Sequence, residues 1–129
     1  TYMYMHRCAA DAGWEARIVS GVPSFCAVAA RLGISLGEKN EEIHIIPAAY
    51  AVRDSLRFHG TRIYMKSGKK LEELLQELRK AMPDEESGRQ PEIYGISNCG
   101  MENEQVYYGL DELEQAKGYL TTVIVKEGT

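Results

Sequence analysis

Thr61-Arg62-Ile63-Tyr64-Met65-Lys66-Ser67-Gly68, followed without a break by residues 69–82, is the stretch that decides the fold. The first six residues read as a strand, and Ser67-Gly68 as the turn that leaves it. Beyond the turn, Leu71, Leu74, Leu75, Leu78 and Met82 recur with helical period and form one apolar stripe. Ser67 or Gly68 starts this helix and Pro83 stops it. Glu72 and Glu73 stand early and Arg79 and Lys80 late, matching the helix dipole at both ends. A strand that feeds a helix through a tight turn is the repeating unit of α/β proteins.

The same alternation continues in both directions. Upstream, residues 1–12 read as a helix closed by Gly13, a residue that tolerates the left-handed cap conformation. Trp14-Glu15-Ala16-Arg17-Ile18-Val19 alternates apolar and polar and reads as a strand. Residues 20–23 form a turn, and Ser24 caps a helix that runs through Ala30 and stops at Gly33. Glu42-Ile43-His44-Ile45-Ile46 is a second strand, closed by Pro47, and residues 48–56 a short helix. Downstream, residues 84–90 are a polar connection, residues 92–97 and 121–126 are strands, and residues 111–116 a short helix ended near Gly118. The prediction is an α/β fold with a mixed, mostly parallel five-stranded sheet flanked by helices, with room for an antiparallel edge.

At 129 residues and 44% hydrophobic content, the chain suits one compact domain with one core. A net charge of −4 disfavours a nucleic-acid partner, which would call for a basic stripe. The longest apolar run, around Phe25 to Ala30, is too short to cross a bilayer, so no membrane partner is expected. No basic stretch followed by an apolar one opens the chain. Three cysteines without framework spacing suggest reduced thiols and a cytoplasmic setting, with Cys8 and Cys26 as buried small apolar residues.

Three segments at strand ends stand out, where open α/β sheets collect ligands. Gly21-Val22-Pro23-Ser24 combines a bend with a helix start, which a turn plus cap also explains. Met65-Lys66-Ser67-Gly68-Lys69-Lys70 invites comparison with a phosphate loop, but Gly60 lies too far upstream and no Ser or Thr follows the lysine. Asn98-Cys99-Gly100-Met101 is a glycine-containing turn, and no His or Lys stands beside Cys99 to activate its thiol. His6, Cys8, His44 and His59 lack zinc spacing, so no metal site is expected. No Ser-His-Asp order emerges, and Tyr107 and Tyr108 read as packing residues.

Taken in order, Thr1-Tyr2-Met3-Tyr4, Ser20-Gly21-Val22-Pro23-Ser24-Phe25, Ile63-Tyr64-Met65-Lys66-Ser67-Gly68 and Asn98-Cys99-Gly100-Met101 resemble segments of the tetrapyrrole methylases. That family moves a methyl group from S-adenosylmethionine to a porphyrin-like ring. The resemblance implies a cofactor role for Pro23 and Ser24 in the first turn, although Ser20 stands where the family usually has proline. It implies a contact between Met65 and adenine. It matches Asn98 to a family asparagine, Cys99 to the small residue lining the adenine pocket, and Thr1 to the end of an earlier cofactor segment. It implies no catalytic base, because direct displacement needs alignment more than proton transfer. It further implies that residues 1–13 link to a missing N-terminal domain, that residues 14–129 form the C-terminal cofactor-binding domain, and that the intact protein is a homodimer acting on a tetrapyrrole. The wording of the segments is most similar to members that methylate C20 of precorrin-2 or cobalt-factor II. The alternatives are another member, such as the uroporphyrinogen III methyltransferase of the sirohaem branch, or a non-catalytic α/β ligand-binding or interaction module.

Overall fold

The strand, turn and helix predicted across residues 61–82 are all present in the computed structural model, which describes residues 2–47, 50–83 and 90–127. Thr1, the first two residues of the expected 48–56 helix and most of the 84–90 connection lie outside the described residues. In chain order the elements are α1 (Tyr2–Asp11), α2 (Ser24–Leu32), β1 (Ile43–Pro47), α3 (Val52–Ser55), β2 (Thr61–Met65), α4 (Leu71–Ala81), β3 (Glu92–Ser97), β4 (Gln105–Tyr108), α5 (Gly109–Leu113) and β5 (Thr121–Lys126). A single 3-10 turn, Ser67–Lys69, joins β2 to α4.

The five strands form one sheet in the order β1-β2-β5-β3-β4. Only β1 and β2 pair in parallel, Ile43 opposite Thr61 and Pro47 opposite Met65. The pairs β2–β5, β5–β3 and β3–β4 are antiparallel. The expected mostly parallel sheet is therefore corrected to a mostly antiparallel one. The physical reason lies in β5. The helical crossovers do leave β1, β2 and β3 running the same way, as crossovers must. The last strand then inserts between β2 and β3 in the opposite direction, so those two strands never pair.

Period-two alternation sorts the side chains to two faces. On one face Tyr64, Ile93, Val123 and Val125 meet Leu71, Leu74, Leu75 and Leu78 of α4 and Leu110 and Leu113 of α5. On the other face Ile63, Ile96 and Ile124 meet Val28 of α2. Ile63, Val123, Ile124 and Val125 have no exposed surface at all. Full burial of each such side chain contributes about 1.5–3 kcal/mol, so the centre of the sheet carries the stability.

One expected strand fails to form and one unexpected strand takes its place. Residues 14–19 form no strand: Trp14 is 73% and Val19 88% exposed. A strand gains its stability from a paired neighbour and a covered face, and this segment has neither among the described residues. The fifth strand is instead β4, a four-residue edge strand that pairs with β3 through Tyr94 opposite Tyr108 and Ser97 opposite Gln105. Helix α1 forms as expected but buries no residue. Cys8, expected inside, is exposed on that uncovered helix, and Cys26 is half-buried. Helix α2 ends at Gly33 in the left-handed conformation, φ 67°, as its sequence required. No helix among the described residues is long and apolar enough to cross a membrane.

Candidate functional site

Because β5 runs antiparallel to both β2 and β3, the C-terminal ends of those two strands emerge at the same end of the sheet, beside the start of β5. A buried polar knot ties the exits together. Ser67 Oγ donates to the Thr121 carbonyl at 2.9 Å, and Ser97 and Thr121 join hydroxyls at 2.9 Å. Thr121 Oγ1 reaches the Gly118 carbonyl at 2.9 Å, and the Asn98 N–H donates to the Leu120 carbonyl at 2.9 Å. Each such bond is worth about 0.5–1.5 kcal/mol net, and leaving a buried partner unpaired costs more. Gly68 allows the close approach: a Cβ there would collide with the Gly118 carbonyl. Both strands leave through a left-handed residue, Lys66 (φ 54°) after β2 and Asn98 (φ 54°) after β3. Asn adopts that conformation readily, whereas Lys pays on the order of 1 kcal/mol. Holding the Lys66 backbone there falls to the knot around Ser67.

The sequence-predicted residues distribute as follows. Met65, the last residue of β2, and Cys99, just beyond β3, are half-buried and pack on the same apolar cluster, together with Phe25 from the first turn of α2. Three segments far apart in sequence thus converge. Asn98 is half-buried beside Cys99. Pro23 and Ser24 lie exposed at the start of α2. The expected cap is corrected: Pro23 takes the N-cap position (φ −66°, ψ 149°), no side-chain cap bond forms, and Ser24 is the first helical residue. The Pro23 carbonyl accepts from the N–H groups of Cys26 and Ala27 at 3.0 and 3.2 Å. Proline's fixed φ sets the entry to the helix and leaves the Ser24 hydroxyl uncommitted to capping. Thr1 lies outside the described residues.

One structural tie beside these residues escaped the sequence. The loop after β3 is clamped to α2 by Glu104, whose Oε2 accepts from Arg31 Nε at 2.8 Å while Oε1 accepts from the Gly100 N–H at 2.9 Å. The Gly100 N–H bond and then the Arg31 guanidinium hold the Glu104 carboxyl below the usual carboxylate range. Burial, followed by the nearby Glu104 charge, pushes the Cys99 thiol up, so it stays protonated at neutral pH. Arg31 and Glu104 are 73 residues apart, and nothing local announces their pairing.

The site thus offers a soft apolar surface from Met65 and Cys99, backbone groups at two rigid strand exits and a helix start. It offers neither a thiolate nor, among the described residues, any group of three or more His, Cys, Asp or Glu that could hold a metal. Such a surface suits a flat polarizable ring held by backbone contacts better than acid–base or hydrolytic chemistry.

Comparison with known proteins yields consistent matches. The family model described as Tetrapyrrole (Corrin/Porphyrin) Methylases matches residues 1–114. A curated protein of Methanocaldococcus jannaschii, "Probable cobalt-precorrin-2 C(20)-methyltransferase", is 31% identical over 98% of this chain and 53% of its own length. Among solved structures, a cobalt precorrin-4 methyltransferase of cobalamin biosynthesis superposes with TM-score 0.75 at 14% identity, over 98% of this chain and 58% of its own. A uroporphyrin-III C-methyltransferase from Thermus thermophilus, complexed with S-adenosylhomocysteine, gives TM-score 0.62 at 15% identity, over 90% and 55%. The structural likenesses speak to the fold. The chain spans about half the length of these relatives.

Proposed function

Since the chain belongs to the tetrapyrrole (corrin/porphyrin) methylases, we propose that it supplies part of an S-adenosylmethionine site in an enzyme that methylates C20 of precorrin-2 or cobalt-factor II. The observation that carries the site is that Met65 and Cys99, at the adjoining exits of β2 and β3, pack on one apolar cluster with Phe25 of α2. The likeness at 31% identity to a protein described as acting at C20 supports the choice of ring.

The residues present fit the cofactor. Met65 offers a polarizable thioether to an adenine face, and Cys99 is small enough to leave that face open. Asn98 and the backbone after β3 offer polar groups at a rigid turn, and Pro23 and Ser24 present the start of α2. When bound, S-adenosylmethionine would supply an electrophilic sulfonium methyl group for transfer, with S-adenosylhomocysteine as the product left in the site. What this chain contributes is positioning. The Ser67, Ser97 and Thr121 knot and the Arg31–Glu104 clamp fix the loops, so that the methyl is aimed without further ordering. The protonated Cys99 takes no part in bond making.

The reading extends to the rest of the protein. Residues 1–13 link to a preceding domain that forms the other wall of the cleft, residues 14–129 form the cofactor-binding half, and the intact cytoplasmic protein is a homodimer. Coverage of about half of each relative and the uncovered apolar side chains of α1 support a further domain. Incubating the intact protein with methyl-labelled cofactor and each ring, then locating the label by carbon NMR, tests the proposal. Label at C20 of precorrin-2 or its cobalt form is expected. Label at C2 or C7 of uroporphyrinogen III moves the protein to the sirohaem branch and leaves the cofactor site standing.

A further inference from the structure

The turn that leaves β2 holds three lysines, Lys66, Lys69 and Lys70, all exposed. None of them forms an ion pair among the described residues, whereas Arg31, Arg53, Arg79 and Lys80 each meet a carboxylate. Glu72 and Glu73 follow within one turn of helix, but neither pairs with these lysines, and Glu72 instead accepts from the Gln76 side chain at 3.4 Å. Lys66 stands in the left-handed conformation, φ 54°, which glycine or asparagine would adopt at lower cost, so the turn itself does not explain a lysine there. The turn touches the loop that leads into β5. Gly68 lies against the backbone of Gly118 and Tyr119, and Lys69 Nζ stands 5.8 Å from the centre of the Tyr119 ring, a cation–π contact. The bond from the Asn98 N–H to the Leu120 carbonyl brings the exit of β3 to the same loop. In that loop Tyr119 and Leu120 are 50% and 46% exposed. The end of the sheet that holds Met65 and Cys99 thus presents a rim that is apolar and cationic at once. The chain as a whole carries −4 and would repel a polyanion. At physiological ionic strength, however, exposed charges more than about 8 Å apart are largely screened, so the lysines nearest a ligand decide its local field.

Resting on the function proposed above, we propose that Lys69 and Lys70 are specificity residues for the ring rather than for the cofactor. They pair with carboxylate arms of a tetrapyrrole polycarboxylate, Lys66 adds to the same field, and Tyr119 and Leu120 support an apolar edge of the ring. The Tyr119 ring restrains Lys69, so less side-chain freedom is lost when the pair forms. A ring with its arms esterified would keep the apolar contact and lose the charge pairs. A small inorganic anion would meet the lysines and leave Tyr119 and Leu120 uncovered.

Steady-state methylation of precorrin-2 by the intact protein, with calorimetry of S-adenosylhomocysteine beside it, tests this. In the double variant Lys69→Gln, Lys70→Gln, KM for the ring should rise roughly tenfold and depend less on salt, while kcat and cofactor affinity stay within about twofold of wild type. Lys69→Arg, which keeps the charge, should stay near wild type. Lys39→Gln removes one charge at the opposite end of the sheet and should leave KM unmoved, whereas Lys69→Gln removes the same charge and should raise it. An unmoved KM in the double variant overturns the proposal, as does a rise in Lys39→Gln equal to that in Lys69→Gln. A fall in S-adenosylhomocysteine affinity as large as the rise in KM also overturns it, because the lysines would then hold the carboxylate of the cofactor. A wild-type protein that methylates no ring would sink the earlier reading instead. Fluorescence titration with uroporphyrin III then decides the role of the lysines by binding alone: the double variant should bind it roughly tenfold more weakly than wild type, and equal binding overturns the proposal.

Discussion

The first 22 residues and the body of the sheet obey opposite rules. Of the fifteen large hydrophobic side chains exposed among the described residues, eight belong to residues 2–22: Tyr2, Met3, Tyr4, Met5, Trp14, Ile18, Val19 and Val22. The same kinds of residue in β2, β3, β5 and α4 are buried almost without exception. Composition therefore does not separate the two regions. What separates them is partnership: α4 has a sheet face to cover, while α1 and the 14–22 segment bury no residue and meet each other only through exposed contacts such as the Tyr2 hydroxyl on the Arg17 carbonyl at 3.4 Å. The further domain proposed above would cover such an exposed apolar segment.

The largest expected effect lies on the body side. Leu74, 1% exposed beneath α4, should cost about 2–5 kcal/mol when replaced by alanine, measured by denaturant unfolding. Val19→Ser, at a position 88% exposed, should change the stability of this chain by no more than about 0.5 kcal/mol. Comparable losses at the two positions would break the contrast.

A second prediction sharpens it. The double variant Trp14→Ser, Ile18→Ser should leave the unfolding of the isolated 129-residue chain unchanged but lower the melting temperature of the intact protein. Equal behaviour in both contexts would show that nothing covers the 14–22 segment.

These contrasts also explain what could be read from sequence. The α4 stripe, the α2 stop at Gly33 and the strands β2, β3 and β5 were legible because each is encoded in adjacent residues. Residues 14–19 carried an equally good alternating pattern and misled, because pattern cannot say whether a pairing partner exists. Strand β4 was missed because Gln105-Val106-Tyr107-Tyr108 is too short to show a period, and its pairing with β3 depends on the turn at residues 98–104. The direction of β5 was hidden for a related reason: it follows from where the chain returns after α5, not from residues 121–126 themselves. At the site, Met65, Asn98 and Cys99 stood out as strand exits. The Arg31–Glu104 clamp and the Ser67–Thr121 bond did not, because their partners are 73 and 54 residues apart.

A smaller effect should come from the clamp that joins α2 to the loop after β3. The Glu104 carboxyl is held below its ordinary value of 4.5 in the folded protein. A lowered folded-state value means that the contribution is present above the unfolded value and is lost as pH falls through the folded one. Amide exchange at Gly100, corrected for its intrinsic pH dependence, should therefore lose protection as pH drops below about 4.5. In Glu104→Gln that acid-dependent step should vanish. Retention of the full step in Glu104→Gln would mean that another carboxyl governs the loop.

The smallest expected effect belongs to Cys99→Ala, which removes a protonated thiol without filling space; it should leave cofactor affinity and turnover within about twofold of wild type, since the sulfur makes and breaks no bond. Its large counterpart tests the central claim most directly: titration calorimetry of the intact protein with S-adenosylhomocysteine, comparing wild type with Cys99→Trp. An indole at position 99, beside the exit of β3, should abolish detectable binding while circular dichroism and the melting temperature stay near wild type. Unchanged affinity in a folded Cys99→Trp protein would contradict the assignment of this end of the sheet to the cofactor.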